Sequence, residues 1–382
     1  MSRPRIVCAT SLADGEAAFS SLGDVRMMAE SDIHAGALRD VDALITRSKV
    51  RVDDNLLADS RLQFYATATA GIDHIDVAAL ARRGIAWAHA PGSNANSVAE
   101  YIIAALAWLG RERGINWTRR TLAIIGAGQV GSRLAALADR MGLTVLLNDP
   151  PLRDATGDSL YLPLREALAH ADIVSLHVPL TASGPHATRN MVTASWLSNI
   201  KPGAVFINSS RGEVVEEPAL LRALADGNLS AAILDVFNRE PAIDIATLRA
   251  AALATPHIAG YSLDGRRQGT LMVYRAACRH FNRPPTWQPP EDAEPTELNV
   301  HLHGDESRAL HDAVLAAYNP FVDDQRLRAL PVGMPIDRHF QRVRQTCVER
   351  REFRRYRVSA AALPPAFAAL LKKIGFCVSG IT

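Results

Sequence analysis

The sequence predicts an α/β protein built on two doubly wound parallel sheets, with a small α/β domain at the carboxy terminus. Three observations predict it. Short apolar strands alternate with helical stretches through most of the chain, a second such series begins at Thr121, and a proline-rich segment sets off a last α/β stretch. The length of 382 residues suits two or three domains, and 48% apolar with 21% charged residues is the composition of a packed globular chain.

In the first hundred residues the strand candidates are Arg5–Ala9, Asp42–Thr46, Leu62–Ala66 and Ile85–His89, with a helix at Val77–Arg83. A long apolar helix follows from about Ala95 to Leu109, with Asn94 or Asn96 as candidate cap. The second series has strands at Leu122–Ile125, Thr144–Asn148, Ile173–His177, Ala204–Asn208 and Ala231–Asp235, each apolar enough for burial on both faces. Helices fall between them at Gly131–Arg140, Leu164–Ala169, Ala194–Ser198 and Glu217–Asp226. Arg283–Glu297 holds five prolines and four acidic residues with little to pack, and reads as a linker. Beyond it come a strand at Leu298–His303, helices at Ser307–Tyr318 and Pro364–Lys373, and a strand at Phe376–Val378.

Composition narrows the partners. Lysine and arginine total 42 against 40 acidic residues, a formal charge of +2, which removes the electrostatic argument for nucleic acid or a membrane surface. The apolar run Ile102–Leu109 is too short to span a bilayer, and the first residues lack a secretory signal pattern. Four cysteines, Cys8, Cys278, Cys347 and Cys377, lie far apart, as expected of free thiols in the cytoplasm. No metal site is expected: His301 and His303 alternate on one strand without a third ligand. The stretch Arg338–Arg357 carries eight arginines; they are expected to pair across an interface or line a solvated helix face.

The strongest local signal is Gly126-Ala127-Gly128-Gln129-Val130-Gly131, which closes the apolar run Leu122–Ile125 and opens a helix, as a dinucleotide fingerprint requires. The first glycine allows the tight turn and the second lets backbone approach a pyrophosphate. The third permits close helix–strand packing, and the helix terminus favours the phosphates. Asp149 ends the next strand, where a carboxylate accepts hydrogen bonds from a ribose and repels a 2′-phosphate. NAD is therefore the expected cofactor. The run also has the glycine spacing of an ATP-binding loop, but Ser132 and Arg133 stand where lysine and a hydroxyl residue are needed.

Ligands of open parallel sheets bind at the carboxyl ends of the strands, so the residues after each strand are candidates. Ala204–Asn208 leads to Arg211, Ala231–Asp235 to Glu240, and Ala252–Thr255 to His257. That trio suits oxidation of an alcohol beside a carboxylate. A neutral His257 takes the hydroxyl proton, Glu240 holds its other ring nitrogen, and Arg211 binds the carboxylate in a fork. Arg47-Ser48 and Thr67–Thr69 also follow strands, and a guanidinium with hydroxyls can receive a phosphate.

These residues resemble the D-isomer-specific 2-hydroxyacid dehydrogenases, through Gly126–Gly131 with Asp149, Val178–Thr181, Asn208–Val214, Asp235–Pro241 and Thr255–His257. The resemblance implies a flavodoxin-like substrate domain of residues 1–93 with a return segment 258–283. It also implies an inserted NAD-binding Rossmann domain at 94–257, a linker at 284–297 and a carboxy-terminal dimerisation domain at 298–382. Further matches within the family, Thr67–His74, Asn148–Pro151 and His257–Gly265, extend it over nearly the whole chain. By this resemblance Arg211, Glu240 and His257 are catalytic, while Ser48, Thr69 and Tyr261, with Arg47, contact a phosphorylated 2-hydroxy acid. Gly126, Gly128, Gln129, Val130, Gly131, Asp149, Val178, Asp235 and Gly260 contact NAD, and the partner is a second copy of the chain. Three positions depart from the family pattern: Val178 for a threonine, Phe237 for a tryptophan and Gln129 for an asparagine.

Overall fold

The computed structural model describes residues 3–115, 117–291, 294–300, 306–359 and 363–380. It divides into two compact units: residues 1–94 with 261–293, and residues 95–260 with 294–382.

The first unit is a five-stranded parallel sheet of β1 (Arg5–Ala9), β2 (Asp24–Met28), β3 (Ala43–Thr46), β4 (Phe64–Thr67) and β5 (Ala86–Ala88), in the order β2-β1-β3-β4-β5. Strands β3 and β4 are buried along their whole length, as continuous apolar runs require. Edge strand β2 has no counterpart in the sequence reading, because Asp24 and Arg26 point to solvent and break the apolar run. One face of this sheet is covered by the helix Leu263–His280, which brings Leu271, Val273, Tyr274, Ala277 and Cys278 against Ile6, Cys8 and Phe64. Gly269 makes that approach possible, since a Cβ there would lie 2.8 Å from the Ala68 carbonyl oxygen. The proline-rich segment is less loose than expected. The Thr286 and Trp287 amides donate to the Tyr274 hydroxyl at 3.0 and 3.1 Å, and the Trp287 indole packs edge-on to that ring.

The second unit holds six parallel strands: β6 (Thr121–Ile125), β7 (Thr144–Asn148), β8 (Ile173–Leu176), β9 (Ala204–Asn208), β10 (Leu229–Leu234) and β11 (Leu253–Ala254). Their order is β11-β10-β9-β8-β6-β7, so the order in which successive strands are laid down reverses between β6 and β8, while all the strands stay parallel. That reversal is the switch point where such sheets bind dinucleotides. The helix Ala95–Arg113 is apolar on every side from Tyr101 to Leu109 and buried there, because the sheet takes one face and the helix Glu306–Ala317 another. Three short parallel strands, β12 (Thr296–Leu298), β13 (Tyr356–Ser359) and β14 (Cys377–Ser379), complete the unit in the order β12-β13-β14. The strand read at Leu298–His303 is thus seen only to Leu298; His301 and His303 lie outside the described residues.

Two carboxy-terminal helices escaped the sequence reading, Phe321–Arg328 and Ile336–Gln345. The first is polar because it closes the open edge of the large sheet. Asp324, 1% exposed, accepts the Ala254 N–H of β11 at 2.7 Å. Arg328 pairs with Asp324 and donates to the Leu248 and Ala251 carbonyls at 2.7 and 2.9 Å. An edge covered in this way cannot template pairing with another chain. The second helix buries only His339, Phe340 and Val343, and Phe340 meets Phe237 edge-on. The arginine-rich stretch also needs correcting: Arg350 is 6% exposed and buried within this unit. Among the described residues no helix is long and apolar enough to cross a membrane, and no cluster of His, Cys, Asp or Glu could hold a metal ion.

Candidate active site

Strands β9, β10 and β11 are neighbours, and their carboxyl ends deliver Arg211, Glu240 and His257 to one end of the sheet. Gly212 packs two of these loops together: a Cβ there would fall 1.9 Å from the Phe237 carbonyl oxygen. Glu240 accepts from His257 Nδ1 at 2.8 Å through one carboxylate oxygen and from the Phe237 N–H at 3.0 Å through the other. Burial alone would raise the Glu240 carboxyl. The charge and hydrogen bond of His257, with the Phe237 amide, hold it below the usual carboxylate range. An ionised carboxylate only accepts, so Nδ1 carries a proton, and in the neutral imidazole Nε2 is then the nitrogen with the lone pair. Nε2 has no hydrogen-bond partner among the described residues, and the side chain is 32% exposed. The arrangement can take up a proton at Nε2 and stabilise the charge that results. Arg211 stands in extended backbone just before Gly212, with Nη1 donating to the Ser210 carbonyl at 2.7 Å.

The backbone at His257 is left-handed, with φ of 58°. A non-glycine residue there costs about 1–3 kcal/mol and persists only where its surroundings over-determine it. Asp235 supplies much of that constraint. Its carbonyl accepts the His257 N–H at 2.7 Å, and its carboxylate takes the Ile258 and Ala259 amides at 2.7 and 2.8 Å. Thr255 Oγ1 donates to the same carboxylate at 2.7 Å and pairs with the Tyr101 hydroxyl at 2.6 Å. Burial pushes the Asp235 carboxyl up to about 6. Expected at the cofactor, Asp235 spends both side-chain oxygens on shaping the loop that carries His257 and leads to Gly260.

At the switch point, Gly126 has φ of 95°, and a Cβ would meet the His177 carbonyl oxygen at 2.6 Å. The loops after β6 and β8, with Val178 in the second, therefore touch. A Cβ on Gly131 would fall 2.0 Å from the Gly126 oxygen, whereas one on Gly128 would meet nothing within 4 Å. Gly128, Gln129 and Val130 open the helix Gln129–Arg140, and Gly128 and Gln129 are exposed. Asp149 accepts the Ala127 N–H at 2.8 Å and caps the helix Pro150–Thr156 through Leu152 N–H at 3.0 Å. This is a cradle with room for a pyrophosphate at a helix N-terminus and a carboxylate one strand away, and it fits NAD.

The remaining expected residues belong to the first unit. Arg47 Nη1 donates to the Tyr261 hydroxyl at 3.1 Å and its guanidinium lies 4.8 Å from that ring. Ser48 is exposed in the turn after β3. Thr69 donates to the Gly71 carbonyl at 2.9 Å and lies 2.9 Å from the Thr67 hydroxyl.

Residues 96–259 match the family model for the D-isomer specific 2-hydroxyacid dehydrogenase NAD binding domain, and 291–375 match a domain of unknown function. Erythronate-4-phosphate dehydrogenase of Marinobacter nauticus is 39% identical over 367 residues, covering 94% of this chain and 95% of that relative. The protein of the same name from an Escherichia coli O7:K1 strain is 37% identical, with 94% of each chain covered. The chain belongs to the erythronate-4-phosphate dehydrogenase family. A solved D-isomer specific 2-hydroxyacid dehydrogenase from Polaromonas is similar at 25% identity and a TM-score of 0.61, covering 75% of this chain and 99% of that one.

As in other members of the erythronate-4-phosphate dehydrogenase family, the nucleotide-binding domain takes NAD, and the glycine loop gives a direct check. Gly128→Ala is expected to melt like the parent protein but to weaken NAD at least about tenfold, because the methyl enters the space the phosphates need. Gly131→Ala is expected to lose about 1–3 kcal/mol of stability, because its Cβ meets backbone. Thermal melting and NAD titration of both variants decide; equal NAD affinity in Gly128→Ala would remove the pyrophosphate from this loop.

A second check uses Glu240. Its carboxyl is lowered in the folded state, so its contribution to stability is present above the ordinary glutamate value of about 4.3 and lost as pH falls through the lowered one. The melting-temperature gap between the parent protein and Glu240→Gln is expected to be widest above about pH 5 and to close in more acid solution. A gap constant across that range would show that the pair contributes no charge-dependent stability.

The sequence reads His177 as the last residue of a strand, whereas it is the first residue past β8. Its Nε2 lies 2.9 Å from the Ser175 hydroxyl, and burial pushes the imidazole down to about 3, so it is a neutral packing group beneath the glycine loop. Glu217 was read only as the start of a helix, yet it accepts the Asn238 N–H at 2.8 Å and so steadies the turn that presents Glu240. In the sequence both lie within apparent regular elements, His177 at the end of a strand and Glu217 at the start of a helix, and not in the loops between them.

Proposed function

We propose that the protein oxidises C2 of 4-phospho-D-erythronate with NAD, giving 3-hydroxy-2-oxo-4-phosphobutanoate and NADH, as a step of pyridoxal 5′-phosphate biosynthesis. Family membership over 94% of the chain, joined to the Glu240–His257 pair, carries this reading. The hydroxyl proton goes to Nε2 of His257 as the hydride leaves the same carbon for the cofactor. Glu240 stabilises the imidazolium that forms and fixes its tautomer. Arg211 holds the substrate carboxylate and polarises the growing carbonyl. Arg47, Ser48, Thr69 and Tyr261 receive the rest of the substrate, with the guanidinium and hydroxyls suited to its phosphate. Asp149 accepts the adenosine ribose hydroxyls, and Val178 and Gly260 lie along the cofactor.

The protein acts in this reading as a homodimer in the cytoplasm. Val322, Val332 and Val348, three of the four large hydrophobic residues most exposed among those described, all lie in the carboxy-terminal segment, which supports an interface there. The four free cysteines suit a reducing compartment. The test is NADH formation by purified protein with 4-phospho-D-erythronate beside 3-phosphoglycerate and D-glycerate, with a carbonyl trap to draw the oxidation forward. Preference for the four-carbon phosphate is expected. Faster turnover of 3-phosphoglycerate would keep the catalytic residues and overturn the substrate.

A further inference from the structure

A buried charged cluster that the chemistry above leaves unused is inserted into the nucleotide-binding fold by the carboxy-terminal segment. Glu100, Arg350 and Glu352 are each 6% exposed and Ser97 is 1% exposed. Ser97 Oγ donates to Glu352 at 2.9 Å, and Glu100 accepts the Phe353 N–H at 2.9 Å and Asn96 Nδ2 at 2.8 Å. Arg350 Nη2 donates to the Ser97 carbonyl at 2.8 Å and to the carbonyl of Ala259. Its guanidinium lies 4.4 Å from the Tyr318 ring and 5.9 Å from Tyr101. Burying such charges is expensive, and apolar packing would serve stability as well. What the guanidinium does that a hydrocarbon cannot is grip two backbone carbonyls.

Those carbonyls are placed tellingly. Ser97 and Ala259 lie just inside the second unit at the two points where the chain passes between units, 94/95 and 260/261. Ala259 is also two residues from His257. On the other side of His257, Asp324 holds the Ala254 N–H. The carboxy-terminal segment thus grips the backbone on both flanks of a histidine whose left-handed conformation must be held by its surroundings. Between the grips, Tyr101, Thr255 and Asp235 run as one hydrogen-bonded chain to the Ile258 and Ala259 amides.

We propose that Arg350 is a positioning residue for His257: with Asp324 it brackets backbone 254–259, so that the carboxy-terminal segment sets the imidazole against Glu240 and toward the substrate. The proposal rests on the reading of His257 as the base. A catalytic group displaced by about 1 Å loses about a hundredfold in rate without losing affinity, which is the signature to look for.

The test uses the full chain with 4-phospho-D-erythronate and NAD, comparing Arg350→Met and Arg350→Lys with the parent protein for kcat, both KM values and NAD affinity. Arg350→Met is expected to lower kcat about 10–100-fold per NAD-binding site, with KM and NAD Kd changed less than about twofold. Arg350→Lys keeps the charge and reaches one carbonyl, so it is expected to recover only part of that loss, leaving kcat about 3–10-fold below the parent. A kcat per NAD-binding site within about twofold of the parent in Arg350→Met overturns the proposal, as does a loss matched by the fraction of protein that no longer binds NAD. Should Arg350→Met not fold, Arg350→Lys decides alone: kcat down about 3–10-fold at unchanged KM supports the proposal, and parental kcat overturns it. His257→Asn is run beside them. An active His257→Asn overturns the base and the positioning together, whereas an inactive one with a fully active Arg350→Met overturns the positioning alone.

Discussion

His257→Asn is expected to lower kcat for 4-phospho-D-erythronate by about 10²–10⁴-fold while NAD still binds. Asparagine is the informative replacement because it tolerates the left-handed backbone that His257 occupies at φ 58°. Alanine would mix backbone strain with loss of the base. The amide can still meet Glu240, but it offers no lone pair of imidazole basicity on the side where Nε2 stands, so proton uptake is lost and the fold is kept. The measurement is NADH absorbance under saturating cofactor, with melting temperature and NAD affinity recorded on the same preparation. A kcat within about threefold of the parent, with normal NAD affinity, would remove His257 from the proton path.

The second large effect is expected at Arg211. Arg211→Leu is expected to cost at least about a hundredfold in kcat/KM, since it removes both the fork that holds the substrate carboxylate and the charge that polarises the forming carbonyl. NAD affinity should stay within about twofold, because the glycine loop and Asp149 belong to β6 and β7 at the other side of the sheet. Lysine at this position would restore charge without the planar fork, so Arg211→Lys should recover only part of the loss. Arg211 also donates to the Ser210 carbonyl beside Gly212, where the loops after β9 and β10 touch. Joint loss of NAD binding and turnover in Arg211→Leu would therefore identify a loop-holding arginine and refute the substrate role.

Much of this site was legible in the sequence because its geometry is coded by local rules. A buried parallel strand is a continuous apolar run, and the residue that ends it sits at the binding end of the sheet. Arg211, Glu240 and His257 could be picked out on that ground before the contact between Glu240 and His257 was seen. Gly126, Gly128 and Gly131 were assigned three different tasks from spacing alone, and the clearances at their Cβ positions divide them in the same way. What stayed hidden depends on contacts between distant parts of the chain. Phe321–Arg328 looks too polar to be core-facing until Asp324 is found on a strand edge 70 residues away. Arg350 reads in the sequence as one of eight arginines bound for an interface or a solvated helix face, because its acceptors are backbone carbonyls, which carry no side-chain signature. Edge strand β2 was lost for the opposite reason: its charged residues belong to solvent, and only pairing with β1 reveals it.

The first sheet of this protein is completed from far down the chain. Its strands all lie before residue 94, but Leu271, Val273, Tyr274, Ala277 and Cys278, which cover one face, arrive on the helix Leu263–His280. On a ribosome, residues 95–280 must be made before that face can be closed. At about 5–20 residues per second this interval is roughly ten to forty seconds. Throughout it, Ile6, Cys8 and Phe64 have only the early residues Leu12, Ala18, Phe19 and Leu22 as partial cover, while the nucleotide-binding strands between are emerging in order and can pair as they come. Synthesis order and folding order therefore part company in this chain: the first 94 residues to be made are the ones that must wait.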